Sequence, residues 1–204
     1  MNAWINFSMI VVSGILMTVF YLMSVQPAAL EKKIGPRAYK LSATLRLLTT
    51  PFMCTLTAGY ILYHWFPLPI DPFPPVFSWP YWVSVVIAII IAIPSLYLEV
   101  RSTLDAKAEA LVPDKSHTLY KGIYEKIRHP MALGEVPLWW VIAFLVNSPF
   151  LVVFSFIWVP VWYAWCVVEE KDLVLRYGDS YQAYRKRTGM FFPKRQPDNL
   201  KEQS

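Results

Sequence analysis

The sequence predicts an all-α integral membrane protein with five transmembrane helices, of which the last two form a helical hairpin. Three observations predict it: an apolar composition, long segments without charge, and the placement of the basic residues. Hydrophobic residues make up 56% of the chain, and the mean hydropathy is +0.38. One soluble core of a 204-residue chain could not hide so much apolar surface. We therefore expect residues 1–204 to form a single membrane domain.

Four segments contain no Asp, Glu, Lys or Arg, and each is long enough to cross a hydrocarbon core, which takes roughly 20 residues. They are residues 1–30, 47–70, 72–98 and 136–168. The first three predict N-terminal spans, which make up residues 1–98 and lie near residues 3–25, 47–66 and 79–98. The first lacks a basic n-region and a small-residue cleavage pattern, so we expect a retained span and not a signal peptide.

The fourth uncharged segment is long for one crossing. Asn147-Ser148-Pro149 interrupts it and is a turn signal, so we expect a helical hairpin over residues 131–168. The proline-rich residues 67–75 predict an extended connector between the second and third spans, because proline cannot continue a helix. The hairpin belongs to a C-terminal region, residues 99–204, whose cytosolic helices are expected over residues 169–195.

The basic residues test this number of spans independently. All 19 Lys and Arg residues lie in three segments, residues 32–46, 101–128 and 171–201. Lys and Arg near span ends concentrate on the cytoplasmic side, and five spans with the N-terminus outside place all three segments and the C-terminus in the cytoplasm. A single long final helix would leave the basic tail outside. The net charge of +5 needs no nucleic acid partner, because contact with anionic membrane lipids suffices.

Two segments on the predicted inner side carry the candidate chemistry, residues 122–135 and 169–187, because the hairpin brings its two ends to one face. In the first, Pro130 suits the first turn of a helix, so Arg128 and His129 stand before a positive helix N-terminus. That arrangement suits an anion. The alternative is that Arg128 reaches to lipid headgroups and His129 caps the helix.

Three carboxylates lie at the predicted membrane boundary. Glu135 follows one turn after Pro130, where an unpaired carboxylate is costly and a partner is expected. Glu169 and Glu170 end the last apolar segment, and acidic side chains at a helix C-terminus oppose the helix dipole. The pair therefore indicates either a cationic ligand or an interfacial salt bridge to Arg128, and the sequence leaves both open.

After the glutamates, four apolar and aromatic residues recur at helical spacing and predict an amphipathic cap over the membrane face, divided into two short helices at Gly178. They are Leu173, Tyr177, Tyr181 and Tyr184. A metal site is not indicated, because the three histidines and two cysteines have no zinc-ligand spacing. Glycine-rich phosphate loops and the Gly-x-Ser-x-Gly elbow are also missing from the sequence.

In these two segments the sequence resembles the isoprenylcysteine carboxyl methyltransferase family, part of a wider group that includes phospholipid methyltransferases. The shared pattern is ordered and specific, whereas the first three spans resemble the family only in number and hydrophobicity. It consists of His117-Thr118-Leu119-Tyr120, Gly122-Ile123-Tyr124, Arg128-His129-Pro130 with Gly134, Glu169-Glu170 with Leu173, and Tyr177-Gly178 with Tyr181 and Tyr184.

The resemblance implies S-adenosyl-L-methionine as methyl donor, S-adenosyl-L-homocysteine as product, and a donor site at the cytosolic membrane surface. The implied donor-binding positions are His117, Thr118, Leu119, Tyr120, Tyr124, His129, Pro130, Met131, Ala132, Glu169 and Glu170. The candidate catalytic residues are Arg128, Glu135, Glu169 and Glu170. The donor has a carboxylate that suits a helix N-terminus, an ammonium that suits a glutamate, and an adenine that suits aromatic walls.

The implied acceptor carries a lipid tail and enters from the bilayer, with a prenylcysteine carboxylate expected first and a phospholipid amine second. An amine must lose a proton, and the glutamates named above could take it. Two departures concern the acceptor. Residues 161–168, before the glutamates, lack the Arg-containing charged stretch of the eukaryotic enzymes, and Ala132 stands where the family often has an aromatic residue.

Two other interpretations stay open. Sterol-reductase-type membrane enzymes have a related C-terminal region and use a nicotinamide cofactor, although they tend to have more spans. A non-enzymatic scaffold would use the basic segments only to bind anionic lipid. The sequence leaves the oligomeric state open, a monomer included.

Overall fold

The computed structural model describes residues 2–107, 112–113 and 121–194. Within these ranges the chain forms eight α-helices and no β-strand. The helices are α1 (Ala3–Ser24), α2 (Pro27–Ile34), α3 (Arg37–Leu62), α4 (Tyr81–Ala106), α5 (Pro130–Leu145), α6 (Pro149–Phe154), α7 (Trp158–Tyr177) and α8 (Asp179–Arg187). A 3₁₀ turn at Ser155–Ile157 joins α6 to α7. The prediction of an all-helical membrane protein is confirmed at this level.

Four of the helical segments are long and apolar enough to cross a membrane: α1, α3, α4 and the continuous segment Pro149–Tyr177. Helix α5 is also apolar, but its 16 residues extend only about 24 Å at 1.5 Å per residue. A multi-pass membrane protein is therefore supported. The fifth crossing depends on α5, which is shorter than the roughly 20 residues of a usual span.

Three boundaries differ from those expected from the sequence. Helix α3 begins at Arg37, ten residues before the uncharged segment, and α4 continues to Ala106. Helix α7 passes the expected boundary at residue 169 without a break and ends at Tyr177, where Gly178 adopts a φ of 55°. The reason is the same in each case: loss of charge marks the part of a helix that lipid can cover, whereas the helix itself continues into water.

The turn between α5 and α6 is anchored by side chains at the expected place. Asn147 has a φ of 60°, and the Ser148 hydroxyl caps α6 by accepting from the Leu151 N–H. The Trp79 indole donates to the Ser84 hydroxyl at 2.8 Å, which donates to Asn147 Oδ1 at 2.6 Å. These bonds tie Trp79, which precedes α4, and the start of α4 to the turn.

The core is a column of aromatic side chains between α1, α3, α5 and the α6–α7 segment. Its largest members are buried and include Tyr60, Trp139, Trp158, Trp162 and Trp165. The Trp158 indole donates to the Tyr60 hydroxyl at 2.9 Å, and that hydroxyl lies 3.2 Å from Ser155 Oγ. These three polar groups are thus paired with one another between helices, as a low-dielectric interior favours.

A buried carboxylate links the short helix α2 to α7. Asp172 is nearly inaccessible to solvent and accepts hydrogen bonds from the Ala28 N–H at 3.2 Å and the Ala29 N–H at 2.8 Å. Both donors lie in the first turn of α2, where N–H groups have no partner inside the helix and the dipole favours negative charge. Asp172 was not singled out in the sequence, because nothing in its local pattern shows that it meets α2.

We expect Asp172→Asn to lower the free energy of unfolding by about 2–3 kcal/mol, because the substitution removes a charged acceptor from two buried N–H groups. Thermal unfolding of the purified protein in detergent measures this. Asp179→Asn, at an exposed position in the first turn of α8, is the matched control and should change stability by under about 1 kcal/mol. Equal destabilisation by both substitutions would contradict the assignment.

Candidate active site

The two segments singled out in the sequence meet at one end of the helix bundle. The chain after α8 runs beside the segment before α5, where the Arg128 N–H donates to the Gly189 carbonyl at 2.9 Å and the His129 N–H to the Met190 carbonyl at 3.1 Å. Helix α7 passes close by and brings its glutamates to the same place. The predicted juxtaposition is therefore present in the fold.

Arg128, His129 and Arg185 surround the carboxylate of Glu170. We call these four residues the charged cluster. Arg128 Nε donates to Glu170 Oε1 at 2.6 Å, His129 Nε2 lies 3.1 Å from the same oxygen, and Arg185 Nε lies 3.1 Å from Glu170 Oε2. Arg128 also donates to the main-chain carbonyls of Thr188 and Arg185. Of the two roles left open for the glutamate pair, Glu170 has the salt bridge.

Glu169 is placed differently, although it is the neighbouring residue. Its side chain is 30% exposed, against 7% for Glu170, and its Oε2 lies 3.7 Å from His129 Nδ1. Glu169 lines a cavity, whereas Glu170 lies behind its wall in the charged cluster. Glu169 is thus the member of the pair that a ligand in this cavity can reach.

This cavity, the end cavity, lies between the C-terminal parts of α1, α4 and α7, the N-terminal part of α5 and the first half of α3. The centre of a water molecule can occupy about 70 Å³ of it, which is room for several waters. Its walls are formed by Tyr21, Arg46, Ala106, Tyr124, Arg128, His129, Met131, Ala132, Glu135, Trp162, Trp165, Cys166, Glu169 and Leu173.

Several residues expected from the sequence lie in this wall, and others were missed. Tyr124, His129, Met131, Ala132, Glu135 and Glu169 are in the wall, and Pro130 is buried in the first turn of α5. His117, Thr118, Leu119 and Tyr120 lie outside the described residues. Tyr21 and Arg46 come from the N-terminal half and were not expected. The one local signal for Arg46 is its position directly before an uncharged segment.

Tyr124 and its turn are held by two hydrogen bonds. It lies in the 3₁₀ turn Gly122–Glu125, whose Ile123 N–H donates to Asp105 Oδ2 at 2.8 Å. The Tyr184 hydroxyl donates to the Tyr124 carbonyl at 2.5 Å. Burial raises the pKa of the Tyr184 phenol, so this donor stays protonated at neutral pH. The predicted aromatic cap therefore packs on the site, with Leu173, Tyr181 and Tyr184 forming one buried cluster.

Glu135 lies one turn into α5, at the deeper side of the end cavity. Its Oε2 accepts a hydrogen bond of 3.2 Å from the Trp162 indole N–H on α7. The Glu135 carboxylate takes no part in the ion pairs of the charged cluster. The partner expected for a carboxylate at this depth is therefore an indole.

A second space, the apolar groove, adjoins the end cavity between α5 and the α6–α7 segment. The centre of a water molecule can occupy about 430 Å³ of it. Its walls are almost entirely apolar and consist of Ala132, Leu133, Val136, Pro137, Val159, Pro160, Trp162, Tyr163, Phe191 and Phe192. Ala132 and Trp162 line both spaces, so they form the partition between them.

The part of the sequence that forms this site is similar to known proteins. A family model described as phospholipid methyltransferase matches residues 82–180. Over this segment, the chain resembles the phospholipid methyltransferase family. The resemblance inferred from the motifs is confirmed, and the phospholipid methyltransferase match contains Arg128, His129, Glu135, Glu169 and Glu170. Tyr21 and Arg46 lie outside the matched residues.

A methanethiol S-methyltransferase of a Pseudomonas species is 29% identical to the chain over 117 residues, which are 57% of this chain and 44% of that protein. The alignment therefore spans under half the length of this relative. No solved structure matches the chain significantly. Among the residues that the structure describes, no group of three or more His, Cys, Asp and Glu side chains could hold a metal ion.

Proposed function

We propose that the chain is an S-adenosylmethionine-dependent membrane methyltransferase that acts on an acceptor with an apolar tail. One observation carries the proposal: the segment matched by the phospholipid methyltransferase family includes Arg128, His129 and Glu170 of the charged cluster, and Arg128 and His129 line the end cavity. Membrane helices surround this cavity, and the apolar groove leads away from it. The methyl donor would therefore bind in the end cavity and the lipidic acceptor in the apolar groove, with Ala132 and Trp162 between them.

The end cavity has the chemical groups that the donor requires. Helix α5 begins beside His129, so its N-terminal N–H groups and positive dipole end suit the donor carboxylate. Glu169 suits the ammonium, and Tyr124, Trp162 and Trp165 suit the adenine and the sulfonium. Trp165 Nε1 is buried and has no hydrogen-bond partner among the described residues. A buried donor without a partner is costly, and a bound nucleoside could accept from it.

When bound, the donor supplies an electrophilic methyl group on a cationic sulfur. The chain's own contribution is to align the two reactants and to exclude water, because methyl transfer is an in-line displacement. The charged cluster fixes the entry of α5 against α7 and so holds the cavity open at a defined width. Arg128 and Glu170 act in this proposal as positioning residues, whereas Glu169 and His129 contact the donor.

Three acceptor heads are candidates for the apolar groove. The carboxylate of a prenylated cysteine follows from the motif resemblance, and a phospholipid amine follows from the family description. A thiol follows from the methanethiol S-methyltransferase among the relatives. Each would carry its apolar part in the groove and its reactive head at the Ala132–Trp162 partition.

We also infer five membrane crossings with the N-terminus outside and the end cavity on the cytoplasmic side. The C-terminal end of α4, the N-terminal end of α5 and the C-terminal part of α7 all line this cavity. Described basic residues from each of the three segments, namely Arg46, Arg128 and Arg185, lie at this end of the bundle, and positive charge concentrates in the cytoplasm. The short helix α5 would cross with the help of its flanking turns.

The proposal is tested by calorimetry of the purified protein with S-adenosylhomocysteine. We expect binding in the wild-type protein and a five- to tenfold loss of affinity in Trp165→Phe, which removes one neutral hydrogen bond of about 1 kcal/mol. Trp139→Phe is the matched control, because the Trp139 indole N–H is also buried without a described partner but does not line the end cavity.

The outcomes separate the candidate functions. Absence of S-adenosylhomocysteine binding at high micromolar ligand would overturn the methyltransferase proposal. Binding of NADPH in its place would favour a reductase, and binding of neither would favour a lipid-binding scaffold. Equal losses in Trp165→Phe and Trp139→Phe would show that the assigned indole does not contact the donor.

A further inference from the structure

Glu135 is a partly buried acidic side chain of the end cavity that does not belong to the charged cluster. It lies in an apolar helix, where a carboxylate is expensive and commonly marks a functional site. Its described partner is the Trp162 indole at 3.2 Å, a neutral donor that orients the carboxylate without cancelling its charge. The donor carboxylate and ammonium already have partners in His129, the N-terminus of α5 and Glu169, so Glu135 is left for another task.

The position of Glu135 relative to the two spaces indicates that task. Glu135 lines the end cavity, and the next residue, Val136, lines the apolar groove. Its hydrogen-bond partner, Trp162, lines both. The carboxylate therefore stands at the junction where an acceptor whose tail lies in the groove would present its head to the donor.

We propose, on the basis of the proposed function, that Glu135 is a catalytic proton acceptor and that the natural methyl acceptor is an apolar thiol. A carboxylate acceptor is already ionised, needs no base, and would be repelled by a neighbouring carboxylate. An amine acceptor is a cation at neutral pH, so it would lose its hydration against apolar walls and approach the donor sulfonium with like charge. A thiol is neutral, enters the groove at little cost, and becomes a nucleophile when it loses its proton.

The step balances in protons and electrons. The thiol S–H proton passes to a carboxylate oxygen of Glu135 as the sulfur electron pair forms a new bond to the methyl carbon. The bond between that carbon and the donor sulfonium breaks, and its electron pair returns to the donor sulfur. The products are a neutral methyl thioether, neutral thioether sulfur in S-adenosylhomocysteine, and protonated Glu135, which later returns its proton to water.

The test compares Glu135→Gln with the wild-type protein on two thiols. Gln keeps a carbonyl oxygen for the Trp162 indole but cannot accept the proton. With an alkanethiol such as 1-decanethiol we expect kcat to fall at least 100-fold, the usual contribution of a general base. With an aryl thiol that is already ionised at neutral pH, we expect a loss under about fivefold, because no proton needs to be removed. Affinity for S-adenosylhomocysteine should stay within about threefold, since Glu135 is not assigned to the donor.

Glu125→Gln is the control, because Glu125 is an exposed acidic residue of the same C-terminal region that lines neither space. It should keep its activity on both thiols. The inference is overturned if Glu135→Gln loses both thiols equally, if it loses S-adenosylhomocysteine affinity more than tenfold, or if the wild-type protein methylates N-acetyl farnesylcysteine and no thiol. The last result would leave the proposed function standing, whereas a wild-type protein that does not bind S-adenosylhomocysteine would remove the function itself.

Discussion

Glu170→Ala is expected to lower the free energy of unfolding by about 3–5 kcal/mol, the cost of removing one partner from a buried ion pair. Arg128 and Glu170 are both under 10% exposed, so the substitution leaves the Arg128 guanidinium with a buried charge and only carbonyl partners. It also releases His129 and Arg185 from the same carboxylate. Thermal unfolding in detergent should show a fall in melting temperature on the order of 10 °C.

Glu169→Ala provides the control for this result, because it removes the same chemical group from the adjacent position. Glu169 is more exposed and has a weaker ion pair, at 3.7 Å, so we expect a change in stability under about 1 kcal/mol. Under the proposed function it should instead weaken S-adenosylhomocysteine binding. If the two variants melt alike, the distinction between the glutamates is wrong.

Gly134→Val is expected to prevent α5 from packing against α4 and to cost at least about 3 kcal/mol. A Cβ at this position would lie 2.7 Å from the Glu99 main-chain nitrogen and 2.9 Å from the Ser95 carbonyl oxygen. Backbone atoms of α4 cannot turn aside as a side chain could, so one helix must move. The measurement is the yield of monodisperse protein in detergent together with its melting temperature.

Gly134→Ala separates the effect of the close helix approach from the effect of helix propensity. Alanine favours a helix over glycine by about 0.8–1 kcal/mol, so helix propensity alone predicts stabilisation. The close approach predicts destabilisation instead. Leu133→Val changes the adjacent residue of α5, whose side chain lines the apolar groove, and should be tolerated. A stabilised Gly134→Ala protein would contradict the close approach of the two helices.

The site could be predicted in part, and the reason for the limit is geometric. Arg128-His129-Pro130 and the glutamate pair were identified because they stand at the ends of uncharged segments, which is a property of the chain itself. Which glutamate faces the cavity could not be predicted, because successive residues of a helix point about 100° apart and only packing decides which direction is open. The sequence therefore treated Glu169 and Glu170 as equivalent, whereas the fold separates them.

The extent of the helices could also be predicted only in part. Loss of charge located the four helical segments that are long and apolar enough to cross a membrane, because the cost of burying charge in lipid depends on local composition. Loss of charge did not locate the N-terminal end of α3 or the C-terminal ends of α4 and α7. These helices continue through charged residues, which are tolerated outside the part that lipid covers.

The sequence by itself determined an apolar helical membrane protein with its basic residues gathered in three segments, together with the resemblance of its C-terminal region to a methyltransferase family. These features depend on composition and on spacing along the chain. Only the tertiary structure decided that Tyr21 and Arg46 complete the end cavity, that Asp172 caps α2, and that Glu135 stands at the junction with the apolar groove. Each of these is a contact between residues distant in the chain, and such contacts are fixed by how the helices pack.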